Sequence, residues 1–354
     1  MRTGSNSNWI RGTVGCVALL GAILAGALAG SAEAQQTLVV STWGGNWKDI
    51  LQKAVGARFA KETGVPVEYE VGGTIKRLSD ARVNKDKPLV DITLTTTHVA
   101  RLYISGGLFE PLDMSRLPNA KDLFKEAIRS PSHLGLWAYV YTIAYRPDKV
   151  PIQITKWADL WDPALRGKIA MPDFDPSHII VVSAKLSGGD EFNWQKGSEL
   201  LLKLKPNIAA FFGTDAQSQD LLKTGEAPVQ VILSANAIHV MRQGIKVTLV
   251  NTTDVGGITG IDSVGIMKGT KKLDLAYKFI NIALSKEAQE EIVRTLGVGP
   301  TNRLAGVPPE LKGVAGVFTS PEEWAKFSYI MDDEQRAKAL DPWKEWFNAN
   351  IVKR

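Results

Sequence analysis

The sequence has little of the chemistry on which most enzymes depend. It contains one cysteine, Cys16, and four histidines among 354 residues. None of the histidines is spaced as in H-E-x-x-H or another zinc-binding pattern. A G-x-S-x-G elbow, a phosphate-binding P-loop and a dinucleotide fingerprint are also absent. These absences argue against zinc-dependent, serine-hydrolase and nucleotide-dependent catalysis.

The N-terminal segment has the pattern of a secretory signal peptide. Arg2 and Arg11 precede an apolar run of mostly small residues at 13–30. An Ala-Glu-Ala pattern follows and ends at Ala34. A basic start, a short apolar run and a small-residue exit are typical of a cleaved signal peptide. The run is close to the lower length limit of a membrane span, which makes an anchor the weaker alternative. We expect residues 1–34 to be removed by cleavage after Ala34, together with Cys16.

Charge and length bear on the binding partners and the number of domains. The formal net charge is +5, from 42 basic and 37 acidic residues. This is a mild excess without a long basic run, whereas proteins that bind nucleic acid cluster their basic residues. We therefore expect no nucleic-acid partner. The chain is long enough for a large core, and its length favours two domains.

Strand and helix patterns alternate along the chain. Residues 37–43 predict a buried strand, and apolar residues from Trp47 to Phe59 recur at helical spacing. This alternation predicts an α/β fold with a parallel sheet covered by helices. Two extended stretches, 136–150 and 251–265, are interpreted as crossings between two lobes. A cleft between lobes, at the carboxyl ends of strands, is a favoured ligand site.

The first predicted strand meets its helix at a glycine-rich corner, Trp43-Gly44-Gly45. Unpaired backbone N–H groups at such a corner suit a carboxylate or phosphate oxygen. The indole of Trp43 can add an apolar wall or a π face for an ammonium group. The alternative is that Trp43 packs in the core and the glycines only form a tight turn.

Several polar residues follow predicted strands. Asp173 and Asp175 lie two residues apart after one strand. Such a pair can carry out acid/base chemistry, bind a cation or cap a helix. Asp262, in the second extended stretch, has a similar choice between ligand contact and local turn bonding. His98 and His178 lie in predicted strand-end loops and are candidates for the lining of the cleft.

Five segments resemble, in the same order, the solute-binding proteins of ABC importers, in particular the spermidine/putrescine-binding type: 42–65, 106–113, 141–150, 155–173 and 276–302. The resemblance implies the type II periplasmic-binding-protein fold, in which two α/β lobes are joined by two crossings and a ligand cleft lies between them. It also implies a monomer in the periplasm that delivers a small-molecule solute to a membrane permease. Catalysis, a cofactor and a resident metal are not expected.

The resemblance also provides approximate lobes and a candidate site. Lobe 1 is expected over 35–142 and 258–300, and lobe 2 over 143–257 and 301–354. The candidate ligand-binding residues lie in strand-end loops and on the two crossings. Thr96 lies in the same loop as two of them. The candidates are Trp43, Gly44, Gly45, Thr97, His98, Tyr139, Tyr141, Asp173, Asp175, His178, Asn236, His239, Asp262 and Ser263.

Departures from the family pattern bear on the solute. The loop at 95–98 is rich in hydroxyl groups, where a polyamine would need a carboxylate, and Tyr139 and Tyr141 narrow the cleft. We expect a small organic amine, a polyamine or an amino-acid-like zwitterion, and the shorter compounds fit better. Asp173, Asp175 or Asp262 would hold the ammonium group.

Two alternatives remain open. A small anion or iron(III) would use the Gly44-Gly45 corner with the threonine loop, or the phenol groups of Tyr139 and Tyr141. We expect these two tyrosines to point to opposite faces of their strand, which disfavours a shared metal. A secreted enzyme on the same scaffold would need an Asp/His site such as Asp175 with His178, since fold alone does not determine function.

Overall fold

A computed structural model describes residues 36–353, so the predicted signal peptide lies outside the described residues. The strands of this part belong to one mixed sheet. They are β1 Leu38–Thr42, β2 Val67–Val71, β3 Ile92–Thr96, β4 Leu134–Tyr145, β5 Ile169–Pro172, β6 Ile208–Phe212, β7 Val229–Leu233, β8 Thr248–Leu249, β9 Gly257–Ile266, β10 Gly299–Pro300 and β11 Ser328–Tyr329.

Helices cover the sheet, and short 3₁₀ turns connect many of the elements. The α-helices are α1 Asn46–Leu51, α2 Ala57–Thr63, α3 Thr74–Val83, α4 Thr97–Ser105, α5 Ser177–Leu186, α6 Ser198–Leu204, α7 Asp215–Thr224, α8 Ser234–Arg242, α9 Leu273–Ala283, α10 Lys286–Leu296, α11 Pro321–Phe327 and α12 Asp333–Phe347. A π-helical turn joins α1 to α2. Between residues 36 and 353, no helix is both long and apolar enough to cross a membrane.

The sheet is parallel at both ends and antiparallel in the middle. Its strand order is β2-β1-β3-β9-β4-β7-β5-β6, with the three shortest strands paired to β4 and β9. The β2-β1-β3 and β7-β5-β6 groups pair in parallel, as strand–helix–strand units require. The alternating pattern of the sequence thus predicts the two ends of the sheet, and the central strands are the predicted extended stretches.

Those central strands, β4 and β9, connect the two halves of the molecule. They pair antiparallel along much of their length, with Tyr139 opposite Gly260 and Ala138 opposite Ile261. β4 then continues beside β7, while β9 continues beside β3. Each strand therefore passes from one parallel half of the sheet to the other, which confirms that the two extended stretches are crossings.

Two large hydrophobic cores lie on either side of the crossings. One contains residues of β1, β3, α9 and α10, and the other contains residues of β5, β7, α5 and α12. Trp343 and Phe347 of α12 are completely buried in the second core. The other end of α12 packs against α4, next to β3. This helix therefore contacts both halves, which matters for the site described below.

Candidate functional site

A cavity of about 340 Å³ lies where the two halves meet at the crossings. Its walls come from the carboxyl ends of β1, β3, β5 and β7, from both crossings and from α12, the arrangement expected for a ligand site in an α/β protein. The lining residues are Trp43, Trp47, Thr74, Ile75, Thr96, His98, Val99, Tyr139, Tyr141, Phe174, Asp175, Asp215, Leu233, Asp262, Arg336 and Leu340.

Asp262 is a buried carboxylate at this cavity, on the crossing strand β9. Only 6% of the residue is exposed. Its Oδ2 accepts a hydrogen bond of 2.7 Å from the indole N–H of Trp137, on the facing strand β4. Its Oδ1 is buried and has no hydrogen-bond partner in the described structure. A buried acceptor without a donor is unfavourable, so this oxygen is suited to a donor supplied by a ligand.

The surroundings of Asp262 change its acidity. Burial raises the pKa of its carboxyl to about 7, and this effect outweighs the hydrogen bond from Trp137 and the positive charges of Arg77 and Arg336. The carboxyl therefore changes between its neutral and ionised forms near neutral pH. A bound ammonium group would favour the ionised form, because an opposite charge nearby lowers the pKa of an acid.

A second carboxylate, Asp175, is already paired. Arg336 of α12 donates to Asp175 Oδ2 at 2.6 Å, and the N–H of Ser177 donates to its Oδ1 at 3.0 Å. Burial favours the neutral acid, but the charge of Arg336 leads the opposing effects and holds the pKa of Asp175 well below its usual range. Asp175 and Arg336 thus form a buried ion pair beside the cavity.

Two neutral histidines lie near this pair. The ring of His178 stacks on Tyr141 with centroids 3.7 Å apart, and its Nε2 lies 3.3 Å from Arg336 Nη2. Burial lowers the pKa of His178 to about 4 and that of His98 well below its usual value. Both imidazoles are therefore uncharged at neutral pH, and the cationic side chain that lines the cavity is Arg336.

Aromatic rings form the remaining walls. Trp43 donates its indole N–H to Thr74 Oγ1 at 2.9 Å, and the guanidinium of Arg77 lies over its ring, 4.9 Å from the centroid. Trp47 stacks on Trp137, the donor to Asp262, with centroids 5.6 Å apart. These contacts orient both indoles at the cavity, and aromatic faces of this kind attract ammonium groups.

The expectation that Tyr139 and Tyr141 point to opposite faces is wrong. Both line the cavity, and their ring centroids are 6.4 Å apart. The reason is the pleat of a strand, in which residues i and i+2 share a face. Burial raises the pKa of both phenols, so they remain protonated at neutral pH and are poorly prepared to bind a metal as phenolates.

The structure brings together part of the predicted ligand-binding set. The predicted residues that line the main cavity are Trp43, His98, Tyr139, Tyr141, Asp175 and Asp262, together with Thr96. His178 lies behind Tyr141. Thr97 donates to Asp333 at 2.7 Å and Ser263 donates to the carbonyl oxygen of Thr95 at 3.1 Å, so both hydroxyl groups are used within the protein.

Other predicted residues lie elsewhere. Gly44, Asn236 and His239 line an adjacent polar cavity of about 310 Å³, which shares Trp47 and Asp215 with the main one. The amide of Asn236 donates to Asp215 at 2.7 Å and so helps to position that carboxylate. Gly45 and Asp173 do not line either cavity. Within the Trp43-Gly44-Gly45 corner, Trp43 therefore lines the main cavity and Gly44 lines the adjacent one.

Trp47, Asp215 and Arg336 line the main cavity and are absent from the predicted set. The sequence pattern around Trp47 indicates only an amphipathic helix. No element was predicted over α7, which carries Asp215, or over the start of α12, which carries Arg336. The sequence of α12 does contain a sign of Arg336. This residue precedes Trp343 and Phe347 at helical spacing, so it places a charge on the apolar face of the helix.

Two halves joined by a pair of crossing strands, with a partly apolar cavity between them, define the class of two-lobed binding proteins. Among residues 36–353, no group of three or more His, Cys, Asp or Glu side chains is arranged to hold a metal ion. The chain matches the family described as bacterial extracellular solute-binding protein over residues 54–315. It belongs to this family.

Relatives and solved structures agree with the assignment. The spermidine/putrescine-binding periplasmic protein of Salmonella typhimurium is 26% identical over 303 residues, covering 81% of this chain and 85% of the relative. An ABC transporter protein of Clostridium perfringens is 28% identical with a TM-score of 0.76, covering 89% of this chain and 100% of that one. A solved GABA receptor is 25% identical with a TM-score of 0.78, covering 90% and 98%. The predicted two-lobed type II periplasmic-binding-protein fold is confirmed.

Proposed function

We propose that the protein captures a small organic amine, a polyamine or an amino-acid-like zwitterion in the main cavity and delivers it to the permease of an ABC importer. The observation that carries this proposal is Asp262, whose buried Oδ1 lacks a donor at a cavity walled by aromatic rings. An ammonium group is a donor that matches such a carboxylate, and charge-assisted hydrogen bonds are the strong ones.

The comparisons support the solute class and the cellular location. The Salmonella relative is named for spermidine and putrescine, a Pseudomonas aeruginosa relative for putrescine and cadaverine, and the GABA receptor for an amino acid. All of these ligands carry an ammonium group. In our proposal the protein is a periplasmic monomer after removal of the signal peptide. Lobe 1 comprises residues 35–142 and 258–300, and lobe 2 comprises residues 143–257 and 301–354.

Calorimetric titration of the ligand-stripped protein tests the proposal. Putrescine and γ-aminobutyrate serve as probes, and phosphate and iron(III) citrate represent the anion and metal alternatives. The Asp262→Asn variant should weaken binding of the ammonium probes about 10- to 100-fold, because it removes the charge of the hydrogen-bond acceptor. Asp220→Asn is the matched control, since Asp220 is exposed on α7 and lines neither cavity.

The proposal fails if phosphate or iron(III) alone binds, or if Asp262→Asn binds the ammonium probes as well as the unmodified protein does. Recovery of a bound probe in chemically altered form would instead support the enzyme alternative at Asp175 and His178.

A further inference from the structure

We propose that Arg336 makes the cavity selective for solutes with a carboxylate as well as an ammonium group, and selects against diamines. This inference rests on the proposed function, because it assumes that the solute occupies the main cavity. It goes further in assigning a specificity-determining residue and a narrower solute class.

The guanidinium of Arg336 has one N–H group without an acceptor in the described structure. Only 4% of the residue is exposed. Its Nη2 donates to Asp175 at 2.6 Å, whereas its Nε is buried and has no hydrogen-bond partner in the described structure. A buried N–H without an acceptor is unfavourable until a ligand provides one. The planar guanidinium fork matches the geometry of a carboxylate, as it does that of a phosphate.

Arg336 also makes Asp175 unavailable to an ammonium group. The two side chains are 5% and 17% exposed and form an ion pair of 2.6 Å. A second ammonium at Asp175 would have to compete with this guanidinium and would bring another positive charge close to it. Breaking a buried ion pair on one side leaves an uncompensated charge, which is strongly unfavourable.

The remaining acidic side chains of the cavity differ in how strongly they can bind an ammonium group. Asp262 is buried with a free Oδ1. Asp215 is exposed, and one of its oxygens accepts from Asn236 at 2.7 Å. An exposed carboxylate binds an ammonium group only weakly, because water screens the pair. The cavity thus offers one strong ammonium site and one carboxylate site, a combination that fits a short zwitterion.

The test compares two probes with the same four-carbon chain, γ-aminobutyrate and putrescine, on the mature protein stripped of ligand. The unmodified protein should bind γ-aminobutyrate more tightly. The Arg336→Met variant should lose about 10- to 100-fold in affinity for γ-aminobutyrate, because the charged donor is gone. Its affinity for putrescine should rise, since Asp175 is then free, and the preference should invert.

A second, more conservative variant keeps the test valid if Arg336→Met does not fold. Circular dichroism will show whether each variant is folded. Arg336→Lys keeps the charge but loses the planar fork, so γ-aminobutyrate should bind more weakly while putrescine remains disfavoured. An unchanged ratio of the two affinities in both variants would overturn the inference, as would a preference of the unmodified protein for putrescine.

Asp262→Asn separates this inference from the proposed function. If Asp262→Asn weakens both probes but the Arg336 variants leave their ratio unchanged, the amine site stands and the role of Arg336 fails. If the unmodified protein binds neither probe, the proposed function fails, and the inference fails with it.

Discussion

Asp262 shows how a single buried side chain can control a binding site. Its carboxyl is held by one indole N–H and has a pKa raised to about 7 by burial. Below this pKa the carboxyl is protonated, and an ammonium ligand must displace the proton. We predict that the dissociation constant for putrescine rises about tenfold per pH unit as the pH falls from 7 to 5. Calorimetry at fixed ionic strength will measure it.

The matching control is Asp262→Asn, in which the residual pH dependence over this range should be nearly flat. A dependence of equal slope in the variant would assign the titration to another group. Ligand affinity should increase as the pH rises, whereas the stability of the ligand-free protein should decrease. The reason is that the folded state retains this proton to about pH 7, while the unfolded chain loses it near pH 4. The contribution of Asp262 to the free energy of unfolding therefore falls as the pH rises between these values.

At the scale of one element, β9 depends on a glycine. A Cβ on Gly260 would lie 2.1 Å from Cζ of the Tyr139 ring on the facing strand. Only glycine leaves room for that ring against the strand. We predict that Gly260→Ala displaces Tyr139, lowers the free energy of unfolding by about 1–3 kcal/mol and weakens ligand binding. Urea denaturation and calorimetry will measure the two effects.

Gly73→Ala is a suitable comparison, because a Cβ there meets no atom within 4 Å and the backbone is extended. Its free energy of unfolding should change by less than about 1 kcal/mol. If both variants behave alike, the close packing of Tyr139 on Gly260 is not important for the site.

The N-terminus of α12 is attached to α4 through Asp333. This buried carboxylate accepts from Thr97 at 2.7 Å and forms an ion pair of 2.8 Å with Arg129. Thr97 therefore supports the helix that carries Arg336 rather than contacting the cavity. We predict that Thr97→Val lowers the free energy of unfolding by about 1–3 kcal/mol, because one oxygen of a buried carboxylate loses its donor.

Ligand affinity distinguishes this structural role from direct contact. With Thr97→Val, the affinity for γ-aminobutyrate should fall much less than with Asp262→Asn when both are measured by calorimetry. An equal loss would restore Thr97 to the ligand-binding set predicted from the sequence.

At the scale of the whole molecule, the two crossings should act as a hinge. A solute that bridges the two halves shifts the equilibrium toward a closed form. We predict that γ-aminobutyrate at about 100 times its dissociation constant stabilises the protein by about 2.7 kcal/mol. The melting temperature should then rise by several degrees, at about 2–4 °C per kcal/mol. Thermal unfolding and small-angle scattering together will measure stabilisation and closure.

Closure should appear as a smaller radius of gyration with ligand than without it. The Asp262→Asn variant, with its affinity lowered 10- to 100-fold, should be stabilised by only about 0.4–1.4 kcal/mol at the same ligand concentration and should contract less. Stabilisation without contraction would mean that the solute binds to one half alone and does not bridge the cleft.

Local patterns determined much of this architecture. Alternating apolar runs and helical spacing predicted the strands that end at the cavity, and two long extended stretches predicted the crossings β4 and β9. Trp43 follows the first predicted strand, and Tyr141 and Asp262 lie on the two predicted crossings, where the family resemblance implies ligand contacts. All three line the cavity. The sequence alone was sufficient for the family, the fold and this part of the cavity lining.

Tertiary structure decided which charges face the solute. Arg336 meets Asp175 across 161 residues of sequence, and this contact depends on α12 packing against both halves. No local pattern reports a contact of that kind, because it follows from the burial of Trp343 and Phe347 in a core formed by distant strands. The same packing assigned Thr97 to Asp333 and left Asp262 with a free oxygen. The sequence determined the scaffold, and long-range packing determined the electrostatics of its cleft.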